Sequence, residues 1–360
     1  MRLKKTALTA GKFGVSFALL GYLGYRAWSD YQLHRESFED LLAGPKDWAF
    51  LGLAWLAVLG AVLLTFLRWR LLVRTLDIPL SMLDAMRIGF VGYMFTLAAS
   101  LVGGDALKAA YLIHLQPKRK TEAIATVVID RALGLYALLV LAAVASLFLD
   151  ISALKISDTD RMVITQLCNL SRILAVGITV AIGLLMVPGV TTSKTLDRLE
   201  HLPGLGGQLH KLVVAIRIYR RRVDRMLIAF AMSLGMHSLY ALMVYWVAIG
   251  LRTPHPPLGS HFVIVPVSMV AGTLPIGAFE LILDMLYRSV SSVNVLPSQG
   301  LVIALIYRLL QISVASVGVV FYLMGRREVK ELMHEAEEVA ATDIDEPLPS
   351  AAGSETAPAR

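Results

Sequence analysis

The sequence predicts an all-α polytopic membrane protein. Its 360 residues are 56% hydrophobic and only 17% charged, whereas a soluble domain carries about 25% charged residues. The apolar residues fall into runs of about 17 to 25, the length with which an α-helix crosses roughly 30 Å of hydrocarbon. Lysine and arginine cluster in the short segments between these runs, which is the orientation signal of a helical membrane protein. We therefore expect about six full transmembrane helices and two shorter re-entrant helical hairpins.

Charge and cysteine content narrow the classes of function. The formal net charge is +7, but the basic residues lie between apolar runs, so we expect no nucleic-acid partner. The single cysteine, Cys168, excludes an internal disulfide and a cysteine-rich metal site. We expect no metal and no cofactor.

The first two spans are predicted at about residues 13–28 and 48–67. The first follows a basic N-terminus and resembles a signal peptide, but it ends near Trp28 without a small-x-small cleavage site, so we expect an uncleaved helix. The second ends at an arginine cluster that begins with Arg68, which predicts a cytoplasmic end. The mostly acidic segment between them, 30–47, is expected outside.

A first re-entrant hairpin is predicted next. Residues 85–102 are apolar and 106–115 moderately so, yet the segment Lys118–Lys120 that follows is basic. If 85–102 crossed the membrane, this basic segment would lie outside. A turn at Gly103 and Gly104 instead returns the chain to the side from which it entered. Non-helical backbone at that depth requires protein or a water-filled cavity around it.

The third and fourth spans, about 121–149 and 169–187, enclose a polar segment, 150–167, that we expect outside. The most basic cytoplasmic loop follows, at 191–225. Apolar residues repeat in it at helical spacing opposite several basic ones: Leu209, Leu212, Val213, Ile216 and Tyr219 against Lys211, Arg217, Arg220 and Arg221. This pattern is typical of an amphipathic helix lying on an anionic leaflet. A lid over the helical bundle explains it equally well.

The fifth span, about 226–251, holds His237 near its middle, where a contact with a neighbouring helix is the simplest explanation. A second hairpin is predicted after it, because 261–273 and 278–290 are short and are joined by a turn that contains Pro275 and Gly277. Glu280 and Asp284 follow this turn at i and i+4, on one helical face. We expect this hairpin to enter from the outside.

The last span, about 300–324, carries Arg308 and ends at a basic pair on the inside. We therefore predict an integral membrane domain over 1–325 and an acidic cytoplasmic tail over 326–360, a short helix followed by disorder. Both termini are expected in the cytoplasm of a cell-membrane protein. Broken elements in corresponding positions of two halves predict an inverted-repeat-like arrangement with a transport site between them.

Eight charged residues are predicted at membrane depth: Asp105, Lys108, Asp130, Arg131, Glu280, Asp284, Arg288 and Arg308. Charges there are costly and are usually paired, turned away from lipid and functional. Two interpretations remain open: ion pairs that only hold the hairpins, or a groove in which Arg131, Arg308 or Lys108 holds a lipid phosphate. Adjacent helical residues point about 100° apart. We therefore predict that Arg131 faces the Glu280 hairpin and that Asp130 faces Lys108 or Arg308.

Four short motifs, in this order and topology, resemble one family. They are Gly-Gly-Asp105 with Lys108, the Asp130-Arg131 pair, Gly277-Ala278-Phe279-Glu280, and Tyr307-Arg308. Together they are similar to the transmembrane region of lysylphosphatidylglycerol synthases, also called the flippase-like domain family, over about residues 10–325. The chain departs from that pattern at Lys108, where arginine is usual, and in a turn before Glu280 with fewer glycines.

The resemblance implies a membrane part that moves a lipid across the bilayer. In two-part members a soluble domain joins lysine from aminoacyl-tRNA to phosphatidylglycerol. The chain ends about 35 residues after its last predicted span, so we expect the flippase-like part without that domain. The expected partners are membrane lipids, either an anionic phospholipid or a polyprenyl-phosphate-linked lipid.

Two other classes of function are kept as alternatives. HExxH, P-loop and GxSxG motifs are absent from the sequence, so we lean against an enzyme. A membrane-embedded transferase acting on a lipid or polyprenyl phosphate could still use Asp105 or Glu280 as a base. A non-transporting accessory subunit of a lipid synthase or glycosyltransferase is the third possibility.

Overall fold

The protein is represented by a computed structural model that describes residues 21–26, 28–36, 39, 43–98, 103–153, 157–186, 206–273, 277–290 and 295–342. All regular structure in these ranges is helical. The helices longer than a single turn are labelled in chain order: α1 (Trp48–Thr75), α2 (Met82–Ala98), α3 (Gly103–Leu115), α4 (Lys120–Ala145), α5 (Asp158–Met186), α6 (Gly206–Tyr219), α7 (Val223–Gly250), α8 (Leu258–Ala271), α9 (Ala278–Val290), α10 (Gln299–Met324) and α11 (Arg326–Thr342).

Five of the described helical segments are long and apolar enough to cross a membrane. They are Trp48–Thr75, Pro117–Phe148, Asp158–Leu184, Leu212–Gly250 and Gln299–Met324. The all-α polytopic class is thereby confirmed. The predicted span 13–28 lies largely outside the described residues. Residues 21–26 and 28–33 are helical, so helix extends into the segment that was expected to be an external loop from Asp30.

The polar segment predicted as a loop over 150–167 is partly helical. Helix α5 begins at Asp158 rather than near Asn169, and the Ser157 hydroxyl accepts a hydrogen bond from the Asp160 amide at 3.1 Å. Such a contact satisfies one of the free amides of a helix start. Ile164 and Cys168 are fully buried in the core of the bundle. Polar residues at a helix end tolerate water, so hydropathy alone placed this boundary too late.

Helices α2 and α3 form the first hairpin, and they touch backbone to backbone. A Cβ atom added to Gly104 would lie only 2.2 Å from the carbonyl oxygen of Gly92. Gly103 and Gly104 lie in the first turn of α3, while residues 99–102, which join the two helices, are outside the described residues. Gly104 therefore permits the close approach of α3 to α2.

Helices α8 and α9 form the second hairpin, and both contact each other. Gly277 has a φ of 99° immediately before α9, a conformation that side chains with a Cβ rarely adopt. Pro275 lies outside the described residues. Helices α3 and α9 have 13 residues each, or about 20 Å at 1.5 Å per residue. Neither is long enough to cross roughly 30 Å of hydrocarbon.

The described part of the basic segment before α7 contains α6, which packs on the bundle. Val213, Ile216 and Tyr219 of α6 are buried, α6 packs on α4, and the Tyr219 hydroxyl donates to the Leu72 carbonyl at 2.9 Å. Because its apolar face contacts protein, the structure favours the lid over a helix lying on the lipid surface.

The predicted tail begins with α11, a helix of 17 residues. Val329 and Leu332 are buried, α11 packs on α3, and Glu328 pairs with Arg87 of α2 at 2.7 Å. The helix thus closes one end of the first hairpin. Residues 343–360, where disorder was predicted, lie outside the described residues.

Candidate functional site

A buried network of charges joins α1, α3, α4 and α7. The Arg68 Nε donates to Asp130 Oδ1 at 2.8 Å, and its Nη1 donates to the Ser233 hydroxyl at 2.6 Å. Lys108 Nζ lies 3.7 Å from the other Asp130 oxygen. All four side chains are buried. Of the two partners predicted for Asp130, Lys108 is present and Arg308 is not, and Lys108 shares the carboxylate with Arg68.

Arg131 points away from this network and pairs with a different helix. Its Nε donates to Asp105 Oδ2 of α3 at 2.5 Å, and 48% of the Arg131 side chain is exposed. The expectation that Arg131 would face Glu280 is therefore wrong. The divergence of Asp130 and Arg131 follows from the 100° step of the helix, but only the packing of α3 against α4 decides which acid Arg131 meets.

Glu280 pairs instead with Arg308 of α10. Arg308 Nε donates to Glu280 Oε1 at 2.7 Å, and the guanidinium carbon lies 5.6 Å from the ring centre of Phe279. The second oxygen of Glu280 is buried and accepts no hydrogen bond from the part of the chain that the structure describes. Helix α9 thus presents its carboxylate to the helix that follows it, as α3 presents Asp105 to α4.

The two acid–arginine pairs occupy corresponding positions in the two halves of the chain. Asp105 is the third residue of α3 and Glu280 is the third residue of α9, and each of these helices has 13 residues. In each half the arginine lies on the next long helix and binds the acid through Nε. This correspondence indicates that a short helix followed by a long one is repeated in the two halves, while the inverted orientation of the halves stays a prediction.

A cavity of about 180 Å³ lies beside the first pair and the buried network. Its charged lining residues are Arg68, Asp105, Lys108, Asp130 and Arg131. Three cations and two anions leave the lining with a net charge of +1. We call this space the central cavity.

The other residues that line the central cavity are aromatic, apolar or polar, and some of their buried polar atoms have no hydrogen-bond partner among the described residues. Tyr240 lines it and packs against Tyr307, with ring centres 5.8 Å apart. Tyr307 is the residue before Arg308, so an aromatic contact connects the cavity to the second pair. Buried atoms of three lining residues have no hydrogen-bond partner within the described ranges: Asp105 Oδ1, Tyr93 Oη and His237 Nδ1. The residues around the cavity therefore combine charged groups with buried polar atoms that have no hydrogen-bond partner among the described residues.

One ring nitrogen of His237 has a hydrogen-bond partner on a neighbouring helix, as expected. Its Nε2 lies 3.0 Å from the Gly134 carbonyl of α4. A Cβ on Gly134 would lie 3.1 Å from Arg68 Nη1, so the glycine leaves room for the Arg68 guanidinium. Gly134 thus helps to place both Arg68 and His237.

Asp284 is not among the residues that line the central cavity. Its Oδ2 pairs with Arg26 at 3.2 Å and with Arg288 at 3.3 Å, and its Oδ1 accepts from the Leu301 amide at 3.2 Å. A carboxylate at a helix N-terminus accepts hydrogen bonds from free amides and interacts favourably with the positive end of the helix dipole. Asp284 therefore anchors residues 21–26 and the start of α10 to α9.

Arg68 is the main site residue that the sequence interpretation missed. It was assigned to the cytoplasmic end of a span at 67, whereas α1 continues to Thr75. Trp69, Leu72 and Val73 are fully buried, and this apolar pattern beyond Arg68 is the signal that indicates a longer helix. No cluster of three or more His, Cys, Asp or Glu residues that could hold a metal occurs among the described residues.

Comparison with known proteins agrees with these features. The family described as the lysylphosphatidylglycerol synthase TM region matches residues 12–318. No curated protein and no solved structure gives a significant match. The matched region includes both hairpins, the central cavity and both acid–arginine pairs. The chain is therefore an integral membrane protein that belongs to the family of the lysylphosphatidylglycerol synthase transmembrane region.

Proposed function

We propose that this protein binds the phosphate-containing headgroup of a lipid in the central cavity and moves it across the bilayer. The observation that carries the proposal is the half-exposed side chain of Arg131 at a cavity of net charge +1. A guanidinium has five N–H donors in a planar fork that matches phosphate oxygens. The contact to Asp105 uses the Nε donor, which leaves the Nη donors for a ligand.

The buried network has a different part in this proposal. Arg68, Lys108 and Asp130 are almost inaccessible, so a headgroup does not reach them without a rearrangement. Together they carry one excess positive charge. Because this charge is buried, it is screened less than in water, and its attraction for an anion in the cavity is stronger. The network therefore positions Arg131 through the shared helix α4 and raises the affinity of the cavity for an anion.

Two acid–arginine pairs in corresponding positions support movement rather than binding alone. A phosphate that engages Arg131 competes with Asp105, and one that engages Arg308 competes with Glu280. A transporter of inverted-repeat type exposes its central site by moving one half against the other. Exchange of Arg131 between Asp105 and the lipid phosphate would couple the first hairpin to occupancy of the central cavity. Glu280 and Arg308 do not line that cavity, so the second pair would meet the phosphate at another point of its path.

Lipids are the expected partners, either an anionic phospholipid or a polyprenyl-phosphate-linked lipid. The aliphatic chains would remain in the bilayer while the headgroup passes through the cavity. A location in the cell membrane with both termini in the cytoplasm is part of the same proposal, and it follows from the distribution of lysine and arginine.

The test is lipid movement in proteoliposomes that contain the purified full chain. Tail-labelled phosphatidylglycerol, phosphatidylcholine and a short polyprenyl phosphate are incorporated in turn, and the fraction accessible to an external quencher is followed with time. We expect faster movement of a phosphate-bearing lipid than in empty vesicles, and loss of that acceleration in Arg131→Gln. Arg119→Gln is the matched control, since Arg119 pairs with Glu122 outside the cavity.

Two results would contradict the proposal. One is equal movement with and without protein for every lipid. The other is full movement by Arg131→Gln. Mass spectrometry of the recovered lipids belongs to the same experiment, because a changed headgroup would assign the cavity to a transferase instead.

A further inference from the structure

A second cavity lies at the end of α1 and the start of α7, away from the central cavity. Its volume is about 310 Å³, and it is lined by Leu71, Arg74, Thr75, Asp77, Arg222 and Arg225. This volume is at the lower end of the roughly 300–1,000 Å³ that is typical of small-molecule sites. We call it the arginine cavity.

The arginines of this cavity are largely uncommitted. Neither Arg74 nor Arg222 has a side-chain hydrogen bond or ion pair within the described part of the chain, and Arg225 contacts its neighbour Asp224 at 3.3 Å. All three side chains are exposed. Three guanidiniums and the Asp77 carboxylate give the lining a net charge of +2. Like charges that face a common space repel one another unless an anion lies between them.

A phosphate monoester fits this lining in charge and in chemistry. It carries about −1.5 to −2 charges at neutral pH and three strong acceptor oxygens. Arginine binds phosphate with two parallel N–H donors, and such charge-assisted bonds are about twice as strong as neutral ones. Asp77 limits the charge, and it lies in the left-handed backbone region with a φ of 57°, which aspartate and asparagine both tolerate.

We propose that the arginine cavity is a binding site for a phosphate monoester, distinct from the lipid pathway. The basic segments around it are expected on the cytoplasmic face. Two sources of this group reach that face: the headgroup of a lipid such as phosphatidic acid, and a soluble phosphate ester. Both present the same terminal phosphate to the three arginines.

The position of the cavity connects it to the buried network. Arg74 lies six residues after Arg68 on α1, and Ser233 lies eight residues after Arg225 on α7, distances of about 9 and 12 Å along the helices. Arg68 and Ser233 are hydrogen-bonded across the same pair of helices. A phosphate between Arg74 and the two α7-side arginines therefore clamps α1 to α7 beside that contact. The site is thus placed to regulate the rigidity of the central cavity.

The experiment is a ligand titration of the purified full-length protein, read out as the thermal unfolding midpoint. Glycerol 3-phosphate is the soluble probe, and nanodiscs with phosphatidic acid, compared with phosphatidylcholine alone, are the lipid probe. Binding to the native state raises the midpoint saturably. We expect Arg74→Gln and Arg222→Gln each to weaken binding about tenfold or more, because each removes a charge-assisted contact. Arg221→Gln is the control, since Arg221 is exposed and does not line the cavity.

Asp77→Asn supplies a test with the opposite sign. It removes the one negative charge of the lining and keeps the left-handed backbone, so it should tighten binding of the same probe. This variant decides the question if the arginine variants fail to fold. Binding of glycerol 3-phosphate assigns a soluble ester, whereas a response confined to phosphatidic acid assigns the lipid. Absence of saturable stabilisation by both probes overturns the proposal, as does an Asp77→Asn protein with unchanged or weaker affinity.

Discussion

Arg131 and Asp105 lie on different helices, α4 and α3, with Nε and Oδ2 2.5 Å apart, although the arginine side chain is half-exposed. An ion pair that served only to hold two helices together would be expected to be enclosed, because exposed pairs contribute about 0–1 kcal/mol. This pair borders the central cavity instead. It is therefore placed both to hold α3 against α4 and to exchange Asp105 for another anion.

Substitution of Arg131 separates these two roles. Arg131→Lys keeps the charge and should fold normally, yet it should lose lipid movement, since an ammonium cannot make the two-point contact to phosphate. Arg131→Leu combined with Asp105→Leu replaces the pair by apolar side chains, an exchange that is often neutral or stabilising. That double variant should be stable and inactive. Full lipid movement by either well-folded protein would leave the pair with a structural role only.

Removal of the Asp130 carboxylate should be among the most destabilising single changes in the protein. Asp130→Ala leaves Arg68 and Lys108 buried without a counter-ion, and breaking a buried pair costs about 3–5 kcal/mol. Glu122→Ala breaks a partly exposed pair with Arg119 and should cost about 1 kcal/mol or less. The free energies of unfolding are measured for both in mixed micelles. Equal losses in the two variants would contradict the assignment of Arg68–Asp130–Lys108 as a buried network.

The sequence was sufficient to predict the two broken elements and to limit the predicted partner of Asp130 to Lys108 or Arg308, of which the structure shows Lys108. Both follow from local rules: the parity of basic segments across the membrane, and the cost of an unpaired charge at depth. The sequence was not sufficient to choose the partner of Arg131. The 100° step along α4 fixes that Asp130 and Arg131 diverge, whereas the partner depends on which neighbouring helix packs on that side.

Arg68 shows a second reason why sequence reasoning was incomplete. A basic residue at the end of an apolar run is most simply interpreted as an orientation charge, and Arg70 and Arg74 follow the same pattern. Only the fully buried Trp69, Leu72 and Val73 beyond it show that α1 continues and that Arg68 faces the core. A buried arginine is paired with an acid, and a hydropathy profile does not show which acid lies opposite it.

The close approach of α2 and α3 gives a prediction about stability. In Gly104→Ala the new Cβ would lie 2.2 Å from the Gly92 carbonyl oxygen, which is backbone and cannot move aside alone. Overpacking of this kind typically costs about 1–3 kcal/mol.

Gly177→Ala is the matched control, since nothing lies within 4 Å of the corresponding Cβ position on α5. In addition, alanine favours a helix over glycine by about 1 kcal/mol. Unfolding midpoints should therefore fall for Gly104→Ala and stay level or rise for Gly177→Ala. A stable Gly104→Ala protein would mean that the two helices are further apart than described.

The opposite entry of the two hairpins is the last prediction, and labelling of single cysteines tests it. The background is Cys168→Ser, in which the native thiol, buried in the core, is removed. A cysteine at Lys118, between α3 and α4, should react with a membrane-impermeant maleimide only after the cells are opened. A cysteine at Gly259, exposed at the start of α8, should react in intact cells. The reason is that α3 and α9 are each about 20 Å long, too short to cross, so we expect each hairpin to return to the face from which it entered. Labelling of Lys118→Cys from outside intact cells would make the first hairpin a full crossing and would reverse the orientation of every later span. Labelling of both positions from the same face would remove the inverted arrangement on which the proposed movement of lipid between Arg131 and Arg308 depends.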